Sequence, residues 1–72
     1  MHNVAILSRD SALYLTLLEA AQLPHLKLVL VDNKAADFDY SQIDILFGDP
    51  DLTAQVISQC TGLKWLQSTW AG

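Results

Sequence analysis

The sequence predicts an α/β fold in which a parallel sheet is built from a β-α-β-β-α-β series of elements. Short apolar runs recur along the 72 residues, helix-like stretches lie between them, and residues typical of helix caps precede both of those stretches. Continuous apolar runs are typical of strands covered on both faces, as in parallel sheets. Their alternation with helices implies right-handed crossovers between parallel strands.

Four segments have the length and apolar content of strands: residues 3–8, 27–31, 43–47 and 63–66. Residues 11–22 are predicted to form the first helix, which Asp10 caps at its start. Leu23-Pro24 ends this helix, because the residue before a proline is displaced from the α region. The face predicted to be buried contains Leu13, Leu17, Leu18 and Ala21.

The second helix is predicted to begin at Asp49-Pro50-Asp51 and to end before Gly62. Asp49 is expected to cap it, Pro50 suits its first position, and Asp51 suits the positive end of its dipole. Its predicted buried face contains Leu52, Val56, Ile57 and Cys60.

The predicted strand order is 2-1-3-4, the beginning of a flavodoxin-like sheet that forms a three-layer α/β/α sandwich when complete. The linker 33–42 is expected to be a loop with a short turn, fixed to the body by Phe38 and Tyr40. Ligands of such sheets bind at the carboxyl ends of the strands. Function is therefore expected at residues 8–10, 32–33, 48–50 and 68–72.

Composition and charge argue against several classes of protein. The net charge is −4 and the four basic residues are scattered, so neither nucleic acid nor an anionic membrane is an expected partner. No apolar run approaches the ~20 residues of a membrane span. The single cysteine, Cys60, is expected to pack in the core and fits a cytoplasmic location. His2 and His25 do not have the spacing of a zinc site with Cys60, so no metal site is predicted.

Two aspartates at predicted strand ends, Asp10 and Asp49, admit a second interpretation. Receiver domains have acids after the first strand that bind magnesium and one after the third that accepts phosphate. Both residues also precede a helix directly, which favours capping. A receiver would further need a lysine after a later strand than the four found here. A receiver-like signalling domain or a small interaction module is therefore the alternative reading.

The last ten residues, 63–72, run from a predicted buried strand into small residues around one large aromatic. Small residues let a ligand approach backbone amides, and adjacent N–H groups can hold a carboxylate. Trp70 would then form a wall of the pocket. A packed tryptophan in a terminal tail explains the composition equally well.

Residues 44–50 and 63–72 resemble the N-terminal region of the D-isomer-specific 2-hydroxyacid dehydrogenases, above all those of the glyoxylate/hydroxypyruvate reductase type. Residues 6–10 and 13–15 fit the same family, so the resemblance spans almost the whole chain. It implies that residues 1–72 are the N-terminal part of a flavodoxin-like substrate-binding domain, without the NAD(P)-binding domain. The parent enzyme would reduce a 2-oxoacid with NAD(P)H, using an arginine, a glutamate and a histidine from later segments. No catalytic residue is therefore expected here.

The resemblance also implies substrate-binding positions. Ala71 and Gly72 match the backbone amides that hold the substrate carboxylate, and Trp70 occupies a variable position facing the substrate side chain. Gly48 and Asp49 lie on a neighbouring loop at the rim of the cleft. The apolar residue and aspartate that follow this glycine in many members are absent here. We also expect the segment, inactive alone, to self-associate through the edge of its fourth strand and helix 50–60, or to fold loosely.

We predict that this chain does not bind NADH or NADPH measurably. Its three glycines, Gly48, Gly62 and Gly72, are too far apart for the G-x-G-x-x-G turn that holds a pyrophosphate. Calorimetric titration at micromolar cofactor tests this, and a saturable heat of binding would contradict it.

Overall fold

The computed structural model describes residues 1–70, which form one sheet with two helices. In chain order the elements are β1 (His2–Leu7), α1 (Ser11–Ala21), β2 (Leu26–Asp32), β3 (Ile45–Gly48), α2 (Pro50–Val56) and β4 (Trp65–Ser68), with 3-10 turns at Tyr40–Gln42 and Ile57–Gln59. All strand pairs are parallel, and the strand order is β2-β1-β3-β4. The predicted fold class and strand order are confirmed.

The third and fourth strands begin two residues later than the apolar runs suggested. Ile43, completely buried, and Asp44 lead into β3 in the gap between the 3-10 turn and the strand. The Leu63 amide bonds back to Cys60 O at 3.2 Å, so Leu63 belongs to a turn. The starts of β3 and β4 are set by hydrogen-bonded pairing in the sheet, which begins at Ile45 and Trp65.

The main core lies between the sheet and α2. Ala5 and Leu7 of β1 and Leu46 of β3 are completely buried, and α2 packs against them. Cys60 is buried with this cluster, as predicted, and burial raises the pKa of its thiol. The remaining buried members are Tyr40, Ile43, Leu52 and Val56.

The predicted buried face of the second helix is wrong at Ile57, which is 40% exposed. The α-helix ends at Val56 and continues as a 3-10 turn, whose tighter winding rotates Ile57 away from the core. Thr53, which was not predicted, is buried instead.

The linker between β2 and β3 is fixed to the body as expected. Tyr40 is 2% exposed, and its hydroxyl donates a hydrogen bond to Ala36 O at 2.6 Å. Phe38 meets the Tyr40 ring edge to face, with ring centres 5.6 Å apart. Burial raises the pKa of Tyr40.

The opposite face of the sheet is covered by α1 alone, and the predicted burial of this helix is wrong. No α1 residue is buried, and Leu13 and Leu17 are more than half exposed. Leu18 is half-buried, whereas Ala21 is exposed. A helix about 10 Å across covers only part of a sheet of four strands spaced about 4.8 Å apart. Within residues 1–70 no second helix lies beside α1 on this face, so the sides of α1 stay exposed. In residues 1–70 neither helix is long and apolar enough to cross a membrane.

We predict that Gly48→Ala lowers the free energy of unfolding by about 1–3 kcal/mol through overpacking. A Cβ at Gly48 would overlap Oγ1 of Thr53, whose β-branched side chain is restricted to two χ1 rotamers in a helix. That hydroxyl is buried and has no hydrogen-bond partner among the described residues, so its removal should lower the free energy of unfolding very little. The double variant with Thr53→Ala should recover most of the loss in urea unfolding.

The Thr53→Ala single variant is the matched control. A double variant no more stable than Gly48→Ala alone would show that the overlap with Thr53 is not the cause.

Candidate functional site

The carboxyl ends of three adjacent strands lie at one level of the sheet. Leu7 of β1 pairs with Gly48 of β3, which pairs with Ser68 of β4. The next residues of the chain therefore meet at this edge, where the structure brings Asp49 beside the loops after β1 and β4.

The Asp49 side chain connects these loops. Its Oδ2 accepts a hydrogen bond from the Arg9 backbone N–H at 2.9 Å and a longer one from Arg9 Nη1 at 3.3 Å. Its Oδ1 accepts a hydrogen bond from the Thr69 hydroxyl. The Asp49 amide also donates to Leu7 O at 2.8 Å, and the residue is only 3% exposed. One buried carboxylate thus joins the loops that follow β1, β3 and β4.

The prediction that Asp49 caps the second helix is wrong for its side chain. Asp49 occupies the N-cap position, but its carboxylate makes no capping hydrogen bond, and only its carbonyl accepts from Thr53 N, at 2.8 Å. The Asp49 carboxylate instead accepts hydrogen bonds from the Arg9 guanidinium and the Thr69 hydroxyl. Charge-assisted hydrogen bonds are among the strongest hydrogen bonds in proteins.

Asp10 also occupies an N-cap position without a side-chain capping bond, so that prediction is wrong as well. Its backbone adopts φ −105° and ψ 36°, outside the extended conformation typical of caps. Its amide instead donates to the Ser8 hydroxyl at 3.1 Å.

The network keeps Asp49 ionised. Burial acts to raise the pKa of Asp49, but hydrogen bonds from the Thr69 hydroxyl and the Arg9 amide outweigh it and hold the pKa below the ordinary value of 3.8. Arg9 also pairs through both terminal nitrogens with Asp51, which raises the pKa of the guanidinium and lowers that of Asp51. Arg9 is thus shared between two carboxylates.

The loop after β4 has further supports. The Tyr14 hydroxyl of α1 donates to Thr69 O at 3.0 Å, and Thr69 N donates to Gly48 O at 3.1 Å. The Trp70 amide donates to the Ser68 hydroxyl at 3.2 Å, and the Trp70 side chain is 58% exposed. A cavity of about 250 Å3 opens beside this loop, lined by Tyr14, Leu17, Leu18, Phe47, Gln67, Ser68 and Thr69.

Of the five predicted substrate-binding residues, Gly48, Asp49 and the exposed Trp70 lie in the part of the chain that the structure describes. Gly48 and Asp49 contact Thr69, the residue before Trp70. Ala71 and Gly72, predicted to present their amides to a substrate, lie outside the described residues.

Sequence reasoning missed Arg9, Thr69 and Tyr14 as members of this network. Arg9 stands directly after the first predicted strand and Thr69 three residues after the fourth, so strand order and register together contain the signal for both. Tyr14 has no such signal, since its contact depends on how α1 lies across the sheet.

The receiver-like alternative finds no support at this edge. Asp49 is only 3% exposed and both of its oxygens accept hydrogen bonds from neighbouring loops, so its carboxylate has little access to a phosphodonor. Asp10 is exposed, and its amide bonds Ser8 rather than Asp49. Within residues 1–70, no three His, Cys, Asp or Glu side chains gather in a group that would hold a metal ion.

The fold and this edge define an α/β domain of the class that binds ligands at the carboxyl ends of parallel strands. A D-isomer specific 2-hydroxyacid dehydrogenase family protein from Aeromonas salmonicida subsp. salmonicida A449 has a similar structure, with a TM-score of 0.84 and 32% sequence identity over 99% of this chain. The resemblance recognised in the sequence is thereby confirmed: the chain is similar over almost its whole length to a short segment of that protein. It spans 23% of that protein's length. No protein-family model and no curated protein matches the chain.

We predict that Asp49→Ala lowers the free energy of unfolding by about 1.5–3 kcal/mol, the range for hydrogen bonds to a charged group. The variant removes the acceptor for Arg9 and Thr69 and leaves their donors without it. Asp10→Ala is the matched control, since Asp10 holds the equivalent position before α1 without a capping bond, and should change stability by less than about 0.5 kcal/mol. Urea unfolding at neutral pH measures both.

The pH dependence separates a charged network from simple packing. The pKa of Asp49 in the folded protein lies below its ordinary value of 3.8. The stabilisation that the ionised carboxylate gives to the fold is therefore complete above pH 3.8, and it is lost as the pH falls through the lower pKa of the folded state. The difference between wild type and Asp49→Ala should therefore shrink below pH 3.8. Equal losses in the two alanine variants, or a difference that does not change with pH, would contradict the network.

Proposed function

We propose that this chain forms part of the substrate cleft of an NAD(P)-dependent oxidoreductase that reduces a 2-oxoacid, of the glyoxylate or hydroxypyruvate type, to a D-2-hydroxyacid. The similarity to a D-isomer specific 2-hydroxyacid dehydrogenase family protein supports the oxidoreductase family. The substrate class comes from the sequence resemblance in residues 44–50 and 63–72. Residues 1–72 are the N-terminal part of the substrate-binding domain in this proposal.

The convergence of three strand-end loops on Asp49 is the observation that carries the proposal. Asp49 is bonded to Thr69, and Thr69 leads directly to Trp70 and to the small residues Ala71 and Gly72. A loop that offers amides to a small anion must be held in position, since binding then costs less ordering of the chain. Asp49, Gly48 and Tyr14 hold the part of this loop that the structure describes.

The charges at this edge indicate which groups would recognise the substrate. Arg9 is the one basic residue in residues 8–10, 48–50 and 68–72, which lie at the carboxyl ends of β1, β3 and β4, and its guanidinium already pairs with Asp49 and Asp51. A 2-oxoacid carboxylate would therefore be bound here by backbone N–H groups, without a free cationic side chain from these segments.

The segment is proposed to be inactive by itself. Hydride transfer requires a bound nicotinamide, and the proton needs a positioned acid such as histidine. In the parent enzyme these come from segments after Gly72, together with the NAD(P) site. The segment's own contribution is to bind and orient the oxoacid.

We predict that glyoxylate binds weakly to the isolated chain, with a dissociation constant of about 1 mM or higher. In a titration followed by amide NMR shifts, the largest changes should occur at residues 48–49 and 69–72. Methyl glyoxylate, which keeps the aldehyde but lacks the charge, is the control and should cause much smaller changes. A mixture of glyoxylate, NADH and chain should show no oxidation of NADH.

Equal shifts with the ester, or shifts centred on another part of the sheet, would contradict the placement of the carboxylate site. Turnover of NADH by the chain alone would contradict its proposed inactivity.

A further inference from the structure

The ionised carboxylate of Asp49 lies close to the loop that is proposed to bind a second carboxylate. Its side chain is only 4% exposed, so water and salt screen its charge poorly. Thr69, which donates a hydrogen bond to this carboxylate, stands two residues before Ala71. Consecutive Cα atoms are 3.8 Å apart, so the chain itself keeps the Cα atom of Ala71 within about 7.6 Å of that of Thr69. A substrate carboxylate held by the amides of residues 71–72 would therefore be repelled by Asp49.

The guanidinium of Arg9 offsets the charge of Asp49. Its Nη1 lies 3.3 Å from Asp49 Oδ2, and among residues 1–70 no other cationic group comes within 4.0 Å of that carboxylate. The guanidinium is not the main link between the loops, because the Arg9 backbone N–H, at 2.9 Å, and the Thr69 hydroxyl bond Asp49 independently of it. What the Arg9 side chain adds at this site is therefore a positive charge.

Asp51 acts on the same charge in the opposite direction. It accepts hydrogen bonds from both terminal nitrogens of Arg9, and its side chain is 46% exposed. It therefore keeps the guanidinium beside Asp49 while it adds a negative charge of its own. The three side chains, one positive and two negative, leave this site with a net charge of −1.

Resting on the proposed function, we infer that Arg9 is a charge-compensating residue that lets a 2-oxoacid carboxylate bind beside the buried Asp49, and that Asp51 opposes this binding. Arg9 does not contact the substrate, because its terminal nitrogens are engaged by Asp49 and Asp51. It acts through space, by cancelling the negative charge that would repel the oxoacid.

Glyoxylate titrations of the wild-type chain and two variants, followed by the amide NMR shifts of residues 69–72, test the inference. Arg9→Met removes the positive charge and keeps the backbone hydrogen bond to Asp49, so the dissociation constant should rise by about threefold to tenfold at low salt. Asp51→Asn removes a negative charge and should lower the constant by about twofold to fivefold. Both variants break the same Arg9–Asp51 ion pair, so a purely structural role of that pair would change the constant in one direction only.

Lys64→Met is the matched control for the net charge of the chain. It removes a positive charge that lies 3.8 Å from Asp44, before the start of β4 and so at the opposite end of the sheet. It should leave the dissociation constant within about twofold of wild type, as should Arg9→Lys, which keeps the charge at residue 9. Salt at about 0.5 M should bring the constants of Arg9→Met and Asp51→Asn toward that of the wild type.

The outcomes separate this inference from the proposed function on which it rests. Constants that move in the same direction in Arg9→Met and Asp51→Asn would overturn the inference and leave the carboxylate site in place. Asp51 is exposed, so Asp51→Asn should fold, and an unchanged or raised constant in this variant alone would also overturn the inference. A folded wild-type chain that shows no glyoxylate shifts would contradict the carboxylate site itself, and the inference with it.

Discussion

The buried carboxylate of Asp49 is the constraint on which the geometry at the carboxyl ends of β1, β3 and β4 depends. We call this part of the sheet the carboxyl edge. Its charge lies where water has little access, so it is stable only while Arg9 and Thr69 supply donors. Those donors come from the loops after β1 and β4, and Asp49 itself follows β3. Satisfying one acid therefore fixes the relative positions of three loops, and the proposed cleft inherits its shape from that requirement.

The two faces of the sheet contribute unequally to stability. The face under α2 contains the closed cluster of Ala5, Leu7, Leu46 and their neighbours. The face under α1 leaves Leu13 and Leu17 largely in water. The carboxyl edge is thus supported chiefly from one side, with Tyr14 as a contact between α1 and the loop after β4.

Local sequence patterns predicted the elements because apolar runs and helix punctuation depend on near neighbours, and the strand order followed from the known topology of doubly wound α/β sheets. They failed for the side chains of Asp10 and Asp49, since capping rules consider only the adjacent helix. The partners of Asp49 lie 40 residues before it and 20 after it. The exposure of Leu13 and Leu17 was missed for a related reason: periodicity identifies an apolar face but not whether another element covers it. Placing Arg9 and Thr69 required strand register, which becomes available only with the sheet.

The long sequence separations within the Asp49 network have a consequence for folding order. Contacts between residues 9, 49 and 69 cannot form within a single local unit, and closing such long loops is entropically costly until the strands between them are docked. We therefore expect this edge to assemble late, when β4 joins β3. A ligand that requires the loop after β4 in its docked position then binds only the assembled state, so ligand binding and β4 docking stabilise each other by mass action.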